Sequence, residues 1–226
     1  FLREVAIQRY LDHPNICSPL GVLAEPAPHS PLCIVFPRMM EGNITQYVRS
    51  HPAIKQRDKY VMYLGLASAL AYIHSENVVH GDIHGGNVLV QNGVPQLADF
   101  GVANFADSTQ ASVSLTRTGA SRWMAPEILV AEQEDGPVRP TPASDVFSFG
   151  MLMLQIHTAA PPFAMLPPGR IKHKIINGER PPRPAAMADA LWQILQDCWR
   201  HKAEDRPTAE SLVTRLGALA VPSDAE

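Results

Sequence analysis

The sequence predicts an α+β fold that is mainly helical. Three observations predict it. Residues 60–74 carry a helical stripe, with Leu64, Ala67, Leu70 and Ile73 on one face. Residues 144–158 are apolar nearly all round, the mark of a buried central helix. Short apolar runs at 88–90 and 94–98 flank a turn and read as a tight antiparallel hairpin.

The remaining elements follow in order. Residues 1–11 read as the end of a helix, with Leu2, Val5 and Ala6 on one face and Asp12-His13-Pro14 as its stop. Residues 21–23 and 32–36 read as short strands around a Pro-rich turn, the second ended by Pro37. Residues 106–119 are rich in Ser and Thr without a period and predict a mobile loop. Residues 188–201 predict a helix, and Thr208 is the expected N-cap of a last one running to Leu219.

Composition limits the partners. The chain has 226 residues and a net charge of −3, so it lacks the basic footprint of a nucleic-acid binder and any polybasic membrane patch. The longest mostly apolar run, 147–156, is half of a membrane span. Cys17, Cys33 and Cys198 are odd in number and widely spaced. That pattern predicts free thiols and a reducing, cytoplasmic setting. Cys33 and Cys198 sit in apolar stretches and are expected to be buried.

The chemistry concentrates at 80–101. His80-Gly81-Asp82-Ile83-His84-Gly85-Gly86-Asn87 is an H-x-D-x-x-x-x-N run, and Asp99-Phe100-Gly101 follows the second strand of the hairpin. Phosphoryl transfer needs a carboxylate to accept the proton of the attacking hydroxyl, and oxygen ligands for magnesium. Asp82 suits the first task; Asn87 and Asp99 suit the second. The hairpin brings the three to one rim. A lone DFG is weak evidence, since an Asp before Gly is an ordinary turn residue. Here further elements follow in order: Ala125-Pro126-Glu127, Asp145-Val146-Phe147-Ser148-Phe149-Gly150, Cys198-Trp199 and Asp205-Arg206-Pro207.

On these motifs the chain resembles a protein kinase from residue 1 to about 219. Arg122-Trp123-Met124 and Cys198-Trp199 look most like the tyrosine-kinase-like group of serine/threonine kinases, and Gly81 is similar to its fungal members. The resemblance implies a partial small β lobe at 1–40, a helical large lobe at 41–219 and a tail at 220–226. It implies ATP and Mg2+ as cofactors and a protein Ser/Thr hydroxyl as substrate. Asp82 would be the catalytic base, with Asn87 and Asp99 on the metal. Leu89 would floor the adenine, Phe36 would be the gatekeeper, and the Pro37 carbonyl and Met39 N–H would meet the adenine edge. Asn43 would reach the ribose. Glu4 would be the ion-pairing glutamate of the small-lobe helix. His80 would brace the backbone at Phe100 and Gly101, Glu127 and Arg206 would form a buried ion pair, and Asp145 would cap catalytic-loop N–H groups. No G-x-G-x-x-G occurs, and the chain opens at Phe1 within a helix, so truncation is expected.

Three positions depart from the pattern. Gly81 stands where an arginine would read an activation-loop phosphate, unless Arg117 or Arg122 does so. His84 replaces a lysine, and Ala120 replaces a threonine with Thr118 and Ser121 beside it. If His84 holds the transferred phosphate, it is expected to do so best as a cation, with activity falling as pH rises. HGDIHGGNVLV is also similar to the loop of aminoglycoside and choline-type kinases, which lack the later motifs. A pseudokinase scaffold is the reading of another class; the intact Asp82, Asn87 and Asp99 weigh against it.

Overall fold

A computed structural model describes residues 7–23, 33–105, 120–134 and 139–220. Glu4 with its helical face, the 106–119 loop with Arg117 and Thr118, and the 221–226 end of the tail lie outside them. The strands are β1 (Gly21–Leu23), β2 (Cys33–Val35), β3 (Val78–Val79), β4 (Val88–Gln91), β5 (Val94–Leu97) and β6 (Asn104–Phe105), paired antiparallel as β1–β2, β3–β6 and β4–β5. The helices are α1 (Ile44–Ser50), α2 (Gln56–Ser75), α3 (Pro126–Gln133), α4 (Pro142–Thr158), α5 (Pro168–Ile176), α6 (Asp189–Cys198) and α7 (Ala209–Ala220). The expected α+β architecture with a helical large lobe is the observed one.

Helix α4 is the axis. Its residues from Ser144 to Ile156 are nearly all buried, as its unbroken apolar sequence requires. Helices α2, α6 and α1 pack against it, and α7 covers α2. Thr141 caps α4 in a capping box with Ser144, and Pro142 occupies the first turn, where its missing N–H costs nothing. On α7, the Thr208 hydroxyl accepts the Ser211 N–H at 3.2 Å, the expected N-cap. Helix α2 starts earlier than the apolar stripe suggests, because its first turn is polar and exposed. Its face is also displaced: Met62, Tyr63 and Leu66 are buried with Ala67, Leu70 and Ile73, whereas Leu64 is only partly so.

The β4–β5 hairpin turns through Asn92 and Gly93, with φ of 53° and 74°. Two consecutive left-handed residues make the tight turn whose twist matches paired strands. Along β4, Val88 and Val90 enter the core, while Leu89 and Gln91 face the other way. Residues 15–17 join the hairpin through Cys17 N–H to the Leu97 carbonyl and Leu97 N–H to the Asn15 carbonyl, both 2.8 Å.

Two expectations about side-chain environment need correction. Cys33 is exposed, because β1–β2 is a two-stranded sheet that turns Cys33 and Val35 outward; Cys17 and Cys198 are buried and free. The Glu127–Arg206 pair is buried on one side only. The Arg206 side chain is 0% exposed and that of Glu127 is 35% exposed.

Candidate active site

Helix α4 fixes the 80–87 loop through Asp145. Its carboxylate, 1% exposed, accepts the backbone N–H groups of His80 and Gly81, both at 2.8 Å, and lies 3.1 Å from His74 Nε2. Asp145 thus caps the loop as expected, while the N-cap of its own helix is Thr141. His74 was not foreseen; its signal is only its place in the last turn of α2.

His80 braces the DFG segment. Its ring is fully buried, its Nε2 is 3.1 Å from the Ala98 carbonyl, and its Nδ1 accepts the Asp82 N–H at 3.2 Å. An acceptor Nδ1 and a donor Nε2 define one neutral tautomer. Burial pushes its pKa down, against the pull of Asp145 and Asp82. The ring also rests on buried Phe100, with centroids 4.7 Å apart.

Asp82 and Asn87 lie together. Asn87 Nδ2 donates to the Asp82 carbonyl at 2.9 Å and to Asp82 Oδ2 at 3.1 Å. That pins the amide and leaves its carbonyl oxygen as the ligand end. Burial would raise the Asp82 carboxyl, but His84, His80 and the Asn87 amide outweigh it and hold the pKa below the usual carboxylate value. Ala98 N–H donates to the Asn87 carbonyl at 2.8 Å, so the residue before Asp99 is tied to this pair. Asp99 adopts a left-handed φ of 61°, and its Oδ1 accepts the Gly101 N–H at 3.3 Å. Such a conformation in a non-glycine residue is costly and occurs where surrounding structure enforces it.

Oxygen donors suit a hard cation, and Asn87 and Asp99 would be the residues to hold one. Among the described residues no three His, Cys, Asp or Glu form a metal cluster. Asn87 and Asp99 supply two oxygens, in keeping with Mg2+, which keeps waters and takes phosphate oxygens.

His84 is held more closely than its sequence suggests. Its Nδ1 accepts the Gly86 N–H at 2.9 Å, so in this geometry that nitrogen has a lone pair and the proton of the neutral ring is on Nε2. Nε2 faces Asp82 Oδ1 at 3.6 Å, in contact but beyond hydrogen-bond length. Gly86 has no room for a side chain, since a Cβ there would lie 2.7 Å from the His84 ring.

The phosphate-reading position is closed. Gly81 has φ of +80°, and a Cβ on it would sit 3.0 Å from Pro140. Arg122 is committed elsewhere: its guanidinium donates to the carbonyls of Pro162, Phe163 and Leu166 at 2.8–3.1 Å. It is therefore not a spare phosphate reader. Ala120 is buried in a short 3-10 turn.

The nucleotide-side candidates are less converged. Leu89 lies on the non-core face of β4. Phe36 and Pro37 are half-buried, and the Met39 carbonyl accepts the Gly42 N–H at 3.3 Å. Asn43 caps α1: its Oδ1 accepts the Gln46 N–H at 3.0 Å.

The chain matches the family described as protein tyrosine and serine/threonine kinase over residues 1–216. It is 32% identical to serine/threonine-protein kinase PkaA of Streptomyces coelicolor, over 97% of this chain and 39% of that protein. It is 30% identical to serine/threonine/tyrosine-protein kinase HT1 of Arabidopsis thaliana, over 96% of this chain and 54% of the relative. Against serine/threonine-protein kinase STY46 of the same plant the figures are 29%, 97% and 37%. The chain thus spans between about a third and about half of the length of these relatives.

Proposed function

The chain belongs to the protein tyrosine and serine/threonine kinase family, and from that premise we propose that it carries the catalytic centre of an ATP-dependent serine/threonine kinase acting on protein hydroxyls. The observation that supports this most is the Asn87 amide bonded to Asp82, with the N–H of Ala98, the residue before Asp99, bonded to the Asn87 carbonyl. It combines a low-pKa carboxylate with two oxygen ligands on one rim. Asp82 accepts the hydroxyl proton as the nucleophile attacks in line. Asn87 and Asp99 would hold Mg2+, which when bound neutralises charge on the phosphates. His84 presents Nε2–H towards the transferred phosphate. Leu89, Phe36, the Pro37 carbonyl and the Met39 N–H frame the adenine, and the small-lobe Glu4 keeps its proposed ion-pairing role.

The direct test is transfer of label from γ-labelled ATP by the full-length protein, with Mg2+, to mixed protein substrates. Labelled phosphoserine and phosphothreonine are expected. Nucleotide binding without transfer would favour a scaffold, and labelled aminoglycoside or choline without labelled protein would favour a small-molecule kinase.

Two further expectations arise here. Asp82 works ionised, and its pKa is held low, so activity persists above that pKa and is lost as pH falls through it. His84→Ala removes an imidazole that lowers the pKa and leaves the burial that raises it. The acid limb of the kcat/KM profile should therefore move to higher pH; an unmoved limb would show that His84 does not act on Asp82. Second, phosphorylation at Ser112, Ser114, Thr116 or Thr118 should matter little. Gly81 offers no guanidinium, and Arg122 is already bonded to three carbonyls. Phosphatase treatment should leave the rate near its starting value. A fall on the order of tenfold would mean that another cation orders the loop.

A further inference from the structure

Gln155 lies near the C-terminal end of α4 and is 2% exposed. A buried amide needs partners at both ends, since each stranded group costs about 1–3 kcal/mol. Gln155 has both. Its Oε1 accepts the Trp123 indole N–H at 3.1 Å, and its Nε2 donates to Thr45 Oγ1, on α1, at 2.8 Å. The indole can only donate, so the orientation of the amide is fixed by chemistry.

The same helix grips Trp123 a second time. Ser148 Oγ donates to the Trp123 carbonyl at 2.8 Å. Ser148 and Gln155 are two helical turns apart and so share one face of α4. The indole in turn packs on the His84 ring, with centroids 5.7 Å apart at 45°. His84 Nδ1 also accepts the Gly86 N–H. The loop backbone also rests on the amide. A Cβ on Gly85 would lie 2.6 Å from Gln155 Oε1 and 2.4 Å from Thr45 Oγ1, so any larger residue there would push these two side chains aside.

We infer that Gln155 is a positioning residue that acts through Trp123 to set the place of the His84 imidazole beside Asp82. The inference rests on the kinase reading above for its kinetic consequence, though not for its geometry. His84 Nε2 stands 3.6 Å from Asp82 Oδ1, and α4 transmits the rigidity of the core to that spacing. A ring released from Trp123 is free to rotate away from the reacting oxygens.

The experiment uses the full-length protein carrying Gln155→Leu, Trp123→Phe, both, or Gln155→Glu. Each of the first two removes the same hydrogen bond, and each should lower kcat about tenfold or more with KM for ATP unchanged, since misplacement by about 1 Å costs up to 10²-fold. The double variant should be no worse than the poorer single, because the Trp123–Gln155 bond is lost in all three and the Gln155–Thr45 bond in both Gln155→Leu forms. Gln155→Glu should restore the rate: a carboxylate still accepts the indole N–H, and the Thr45 hydroxyl can turn to donate. In a His84→Ala background none of these changes should lower kcat further. A rate loss that persists without His84, or a loss of melting temperature with kcat intact, would overturn the inference. A second readout does not need turnover. The 15N signals of the His84 ring should report one Nε2–H tautomer in the parent and a tautomer mixture in Gln155→Leu. If the parent transfers no phosphate, the kinase reading falls, and these signals alone decide: unchanged signals in Gln155→Leu overturn the positioning role.

Discussion

Asp82→Asn is expected to lower kcat by about 10²–10⁴-fold, the usual worth of a general base, while ATP affinity stays near the parent value. The substituted amide keeps the shape of the side chain, and its carbonyl oxygen can still accept from Asn87 Nδ2, which also holds the Asp82 main-chain carbonyl. The backbone bond from Asp82 N–H to His80 Nδ1 does not involve the altered atoms. The loop should therefore stay folded, and only basicity is lost. Asp99→Asn should behave differently. On the proposed role it removes a charged ligand from the metal side, so magnesium-dependent nucleotide binding should weaken along with turnover. Single-turnover transfer and nucleotide titration, run on both variants of the full-length protein, separate the two roles. Full transfer activity in Asp82→Asn would remove it from the base position.

Much of this site was legible because its chemistry is local in sequence. Asp82 and Asn87 share one loop, and the hairpin that turns at Asn92-Gly93 returns Ala98, the residue before Asp99, to the Asn87 carbonyl. The buried helix was legible from composition, since no surface helix carries apolar residues all round. What stayed hidden depends on distant packing. Gln155 looks like a stray polar residue in an apolar helix until Trp123 and Thr45 close around it. Gly85 and Gly86 look like loop flexibility but are close-approach positions. The bond from the backbone N–H of Gly86 to His84 Nδ1 orients the ring, and no residue pattern reveals it. Arg122 looked like a spare cation because its partners are main-chain carbonyls from Pro162 to Leu166. Cys33 was placed in the core because an apolar run does not say which face of a two-stranded sheet is covered.

Glu127→Ala is expected to cost ~3 kcal/mol of stability, the lower end for breaking a buried pair. The lower end applies because Glu127 itself is 35% exposed and partly screened. The damage falls on what remains. Arg206 keeps its guanidinium wholly buried, having lost two bonds of 2.7 and 2.8 Å to the carboxylate. Its other bonds, to the carbonyls of Ala143, Arg200 and His201, supply dipoles but no counter-charge. A second guanidinium is close by. Arg180 and Arg206 both lie over the Phe147 ring, 5.0 and 5.1 Å from its centroid. Burial already lowers the Arg180 pKa to about 10, the Arg206 charge lowers it as well, and Glu127 opposes the trend. Without Glu127, two like charges share one buried ring with no anion between them. For a chain of this size ~3 kcal/mol corresponds to a melting point roughly 6–12 °C lower. The control is Glu179→Ala, which breaks the surface pair with Lys174. An exposed pair of that kind is worth under about 1 kcal/mol. Thermal and urea unfolding of the two variants should differ in that order. Equal shifts would mean that the Arg206 charge is solvated by routes other than Glu127 and that the pair does not anchor α3 to the 203–206 turn.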